Sequence, residues 1–92
     1  MARKVQVPSA PAAQLSFLAS PAELGRAVGL ARRSRGLSQA GVAARARVTR
    51  QFVIQLENGK PTAQIGKALT VMMCVGLVGI VVPVEAVQGA VG

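Results

Sequence analysis

The sequence predicts a mainly α-helical fold: four short helices followed by one C-terminal β-strand. Three observations carry that reading. Capping residues recur just before apolar-periodic stretches, at Ser20, Ser38, Thr49 and Thr62, with glycine where the first, third and fourth of those stretches stop. The apolar positions between them recur at helical spacing. The run Leu77–Val82 is then rich in β-branched residues and is closed by Pro83.

The first helix is expected from Ser20 to about Arg35. Ser20 is its N-cap, Pro21 takes the first helical position, and Glu23 reaches back three residues later. Leu24, Ala27, Val28 and Ala31 form the buried stripe. Gly36 closes the helix in the left-handed position. Arg32, Arg33 and Arg35 crowd the last turn, where the helix dipole favours cations.

Ser38 caps a second helix that begins at Gln39 and carries a narrow apolar face of Val42, Ala43 and Ala46. Small residues there let another helix approach closely. Arg47 falls in the turn, and Thr49 caps a third helix running roughly from Arg50 to Asn58. Thr49, Phe52, Val53 and Leu56 share one side of it; Arg50, Gln51, Ile54, Gln55 and Asn58 share the other. Gly59 ends it, and Lys60-Pro61 makes a turn. Thr62 is expected to cap a fourth helix, with Ile65, Leu69, Met72 and Met73 facing the core around Ala68, and Gly76 stopping it.

The expected organisation is a flexible arm at 1–19, a helical domain at 20–76, a strand at 77–84 and a flexible tail at 85–92. The arm has no visible period and contains Pro8, Ser9 and Pro11. The strand is apolar on both faces, which implies burial from both sides. A lone strand cannot satisfy its own backbone hydrogen bonds. No second strand is evident, so the expected partner is the same strand of a second copy, paired antiparallel about a two-fold axis.

Composition narrows the function. The 92 residues carry 11 Lys and Arg against 3 Asp and Glu, a net charge of +8. That imbalance points to polyanions. With no histidine and three scattered acids, general acid–base chemistry and metal binding lack their usual groups, so no catalytic, cofactor or metal site is expected. Cys74 is the only cysteine, which excludes an intrachain disulfide. Ala68 to Val84 is uncharged and borders on the length of a membrane span, but Gly76, Gly79 and Pro83 interrupt it. A small membrane-anchored basic protein is the alternative set against a cytoplasmic location.

Two short helices joined by a tight turn form a unit whose second helix can enter the DNA major groove. Arginine can bond guanine O6 and N7 together, and glutamine can bond adenine N6 and N7 together. Arg50, Gln51 and Gln55 supply those chemistries and are the expected base-reading residues. Ser38, Gln39 and Thr49 sit at helix amino ends suited to phosphate oxygens. Asn58 and Lys60 can hold the backbone on the other side. Ile54 breaks the polar face; contact with a thymine methyl and packing against the N-terminal arm both remain open for it.

Residues 21 to about 82 resemble the helix-turn-helix family of lambda-type phage repressors and Cro, the XRE family. The resemblance rests on Gln55-Leu56-Glu57-Asn58-Gly59-Lys60 and on Gly36-Leu37-Ser38-Gln39 with Val42-Ala43. Within the family the chain is most similar to HipB-like antitoxins, through Gly59 to Ala63, Ile65 to Leu69, and Gly76-Leu77 with its strand. The resemblance implies a lambda-repressor-like four-helix domain, a homodimer and operator binding. It implies a phosphate contact at Gln39, base reading by Arg50, Gln51 and Gln55, and an ion pair between Arg32 and Glu57. For a HipB-like protein it implies autorepression and a HipA-like kinase toxin as partner. A stand-alone XRE-family regulator without a toxin is the alternative. The family often has glycine where Arg47 stands; a left-handed non-glycine residue there costs about 1 kcal/mol.

Overall fold

The computed structural model describes residues 19–81, 83 and 85. The arm expected at 1–19 and the tail expected at 85–92 therefore lie outside the described residues, apart from Ala19 and Glu85. Four helices follow in order: α1 Pro21–Ser34, α2 Gln39–Ala46, α3 Arg50–Glu57 and α4 Ile65–Cys74.

Local hydrogen bonds explain the first three starts. The Ser20 hydroxyl accepts from the Glu23 amide at 3.2 Å, and the Glu23 carboxylate accepts from the Ala19 amide at 3.0 Å. Ser38 accepts from the Gly41 amide at 2.9 Å, and Thr49 from the Phe52 amide at 3.0 Å. Each bond satisfies a helix-end donor that has no partner within the helix. α1 stops at Ser34, one residue short of the expected end; Arg35 is its C-cap and Gly36 takes the left-handed position.

α1 packs on α3, and α2 packs on both α3 and α4. The core is aliphatic: Val28 from α1, Val42, Ala43 and Ala46 from α2, Val53 and Leu56 from α3, and Ala68, Val71 and Met72 from α4, with Val75 after it. Burying side chains of this size contributes about 1.5–3 kcal/mol each for the larger ones. Gly25 lets α1 and α3 approach closely. A Cβ there would lie 2.6 Å from the Glu57 carbonyl oxygen, so no larger residue fits without spreading the helices.

The fourth helix departs from expectation in two ways. Thr62 does not cap it: α4 begins at Ile65, and Gln64 precedes it with no side-chain capping bond. Its core face is Ala68, Val71, Met72 and Val75, whereas Ile65, Leu69 and Met73 are 67%, 48% and 72% exposed. α4 is apolar nearly all round, so its pattern alone does not set its rotation. Contact with the small face of α2 does.

Beyond Gly76, Leu77 is half-buried against the core, and its amide donates to the Met72 carbonyl at 2.8 Å. Residues 77–81 form no strand within the single chain, and residues 82 and 84 of the expected strand lie outside the described residues. A strand is defined by backbone pairing, and among the described residues this segment has none to pair with. Val78 and Val81 are 74% and 100% exposed. Among the described residues, no helix is long and apolar enough to cross a membrane.

Candidate nucleic-acid interface

α2 and α3 are joined by Arg47, Val48 and Thr49. The turn works because Arg47 adopts φ 58° and ψ 43°, the left-handed region. Its amide and that of Val48 return to the carbonyls of Ala44 and Ala43 at 3.3 and 3.0 Å. Among the described residues no side-chain partner compensates the conformation, so it is held by the packing of α2 and α3 on either side.

α3 is eight residues, about 12 Å long, a length suited to lying in the major groove. Val53 and Leu56 anchor it inward at 0% and 2% exposure. Arg50 and Gln51 are exposed at its amino end; Ile54 and Gln55 are half-buried along its flank. Thr49, Ser38 and Asn58 are exposed at helix termini, and Lys60 is exposed on the loop beyond.

An ion-pair network fixes how the three helices meet. Arg32 Nε donates to Glu57 Oε2 at 2.6 Å and Arg32 Nη2 to Glu57 Oε1 at 3.1 Å. Arg32 Nη1 donates to the Leu37 carbonyl at 2.8 Å, and Gln39 Nε2 donates to Glu57 Oε1 at 3.2 Å. The side chains of Arg32 and Glu57 are only 12% and 8% exposed. The Glu57 hydrogen bond, opposed by burial and aided by the carboxylate charge, holds the Arg32 guanidinium above its ordinary range. Gln39 thus has one amide hydrogen committed to Glu57. Its second makes no hydrogen bond among the described residues.

Beside α3, Phe52, Gln55, Lys60 and Lys67 line a shallow cleft of about 210 Å³. Lys67 Nζ stands 6.0 Å from the Phe52 ring centroid, within range of a cation–π attraction. Lys60 Nζ donates to Gln55 Oε1 at 3.1 Å. Neither arrangement was expected from the sequence. Lys67 sits early in α4, and only the packing of α4 turns it towards α3. No group of acids or cysteine that could hold a metal ion occurs among the described residues.

The family model described as helix-turn-helix matches residues 22–70, more than half of the chain. The chain belongs to the helix-turn-helix family. The matched span of this helix-turn-helix protein covers α1, α2, α3 and the first part of α4. It is also 44% identical over 57 residues to the uncharacterized HTH-type transcriptional regulator y4mF of Sinorhizobium fredii (strain NBRC 101917 / NGR234). That alignment covers 62% of this chain and 75% of y4mF.

Proposed function

We propose that this helix-turn-helix protein is a sequence-specific DNA-binding transcriptional repressor acting as a homodimer in the cytoplasm. The observation that carries the reading is α3. It is capped at Thr49, anchored inward by Val53 and Leu56, and leaves Arg50 and Gln51 exposed with Gln55 on its flank. Arg50, Gln51 and Gln55 read base edges; Ser38, Gln39, Thr49, Asn58 and Lys60 contact phosphates. The net charge of +8 supplies the non-specific attraction.

One copy reads one half-site. In this reading the segment 77–84 pairs with its counterpart in a second copy and sets two α3 helices about 34 Å apart on a pseudo-palindromic operator. The exposed Val78, Ile80 and Val81 favour such a partner. Selection of binding sites from a random duplex library tests the function. Two inverted half-sites about one helical turn apart are expected. A strictly monomeric protein at micromolar concentration, or a single isolated half-site, would sink the dimer.

Two biological settings fit the residues equally. In one the chain is a HipB-like antitoxin that represses its own operon and restrains a HipA-like kinase toxin. In the other it is a stand-alone XRE-family regulator. The first rests on the resemblance at Gly59–Ala63 and Ile65–Leu69. Co-purification with a HipA-like kinase encoded beside it supports the antitoxin; a gene with no such neighbour supports the regulator.

A further inference from the structure

We propose that Lys60 is a specificity-positioning residue: it orients the Gln55 amide so that Gln55 turns its hydrogen-bond donors to the DNA. The proposal rests on the reading of α3 as the recognition helix and names what that helix accepts at one position.

Lys60 is tied to Gln55 twice. Its backbone amide donates to the Gln55 main-chain carbonyl at 3.0 Å, and its ammonium donates to Gln55 Oε1 at 3.1 Å. The first bond follows from the turn at Gly59, with φ 81°, which folds the chain back over the last turn of α3. Gly59 is itself held against α1; a Cβ on it would lie 2.9 Å from Ala22 Cα. The loop that delivers Lys60 is therefore fixed by packing.

The amide orientation follows from chemistry. An ammonium has donors and no acceptor, so the corner of the Gln55 amide facing it must be the oxygen. The nitrogen is then the other corner, and its two N–H groups have no partner among the described residues. Gln55 is half-buried along the cleft with Phe52, and Lys67 lines the same cleft. Turning the amide over would set its NH₂ group against the Lys60 ammonium.

Reading adenine with both ends of a glutamine needs the oxygen free to accept from N6 and the nitrogen to donate to N7. With one of the two lone pairs of its oxygen engaged by a cation, and the amide turned by that bond, Gln55 presents its donor end to the groove. The major-groove edges that match are acceptors: O6 and N7 of guanine, and O4 of thymine. Cytosine presents a donor and is rejected; adenine retains a single N7 bond.

Site selection with the full chain and with Gln55→Ala locates the base that Gln55 reads, as the position whose preference the variant loses. The wild type is expected to enrich guanine or thymine there. Lys60→Met should raise adenine at that position about tenfold relative to wild type, and Lys60→Arg should keep the wild-type preference. Wild-type enrichment of adenine or cytosine would overturn the proposal alone. So would a Lys60→Met variant that weakens every sequence alike without changing the preference. No enriched sequence with any protein would overturn the recognition-helix reading and this proposal together. Lys60 is exposed, and an unchanged melting temperature confirms that the variants fold.

Discussion

Replacing Glu57 with alanine should be among the most destabilising single changes in the domain. Its carboxylate accepts three hydrogen bonds, at 2.6 and 3.1 Å from Arg32 and 3.2 Å from Gln39. At 12% and 8% exposure, Arg32 and Glu57 are nearly out of water. Removing one partner of a fully buried pair leaves a charge uncompensated, at about 3–5 kcal/mol. This pair is part-buried and Arg32 keeps its bond to the Leu37 carbonyl, which places the loss at the lower end, about 3 kcal/mol. Domains of this size lose roughly 4–8 °C of Tm per kcal/mol. A fall of about 12–24 °C is therefore expected when unfolding is followed by far-ultraviolet circular dichroism. The double variant Arg32→Met/Glu57→Leu should recover most of it, because no unpaired charge remains. A fall below about 4 °C for Glu57→Ala, or a double variant less stable than the single one, would refute the assignment of this pair as the tie between α1 and α3.

Arg47→Gly should stabilise the protein by about 0.5–1 kcal/mol, because glycine adopts φ 58° without a Cβ penalty; an unchanged or lower Tm contradicts strain at that turn. Gly25→Ala should destabilise by about 1–3 kcal/mol in urea melts, since its Cβ would press on the backbone of α3; a neutral change would show that α1 and α3 separate freely. The folded state raises the Arg32 pKa, so its contribution is complete below the unfolded arginine range and is lost only as pH rises through the higher folded value. Thermal melts from neutral to moderately alkaline pH should therefore show no loss that Arg32→Met abolishes; such a loss would contradict the assignment.

Much of the fold is written locally. The caps at Ser20, Ser38 and Thr49 depend on one side chain and an amide three residues on, so residue type and spacing are enough to place them. The same local logic fails at α4. Thr62 is the right kind of residue, but the chain turns at Lys60 to Ala63 and starts the helix later. The rotation of α4 is a tertiary outcome, because Ile65, Leu69 and Met73 are as apolar as the residues that face inward. Gly25 looks like a weak spot in a helix until α3 is seen lying against it.

The interface divides in the same way. The place of Arg50, Gln51 and Gln55 on α3, turned away from Val53 and Leu56, was legible, because helical spacing sets it. The bond between Lys60 and Gln55 was not, although only five residues separate them; it needs the positive φ of Gly59 to bring the lysine back.

The central claim is that the outer side of α3 reads sequence. Its most direct test compares the wild type with Gln51→Ala/Gln55→Ala by fluorescence anisotropy, on the selected operator and on a scrambled duplex at several salt concentrations. The account predicts that the variant loses its preference for the operator. The variant should keep the weak, salt-dependent affinity for both duplexes, because the residues proposed to contact phosphates are unchanged. Unchanged preference for the operator in the double variant would contradict it.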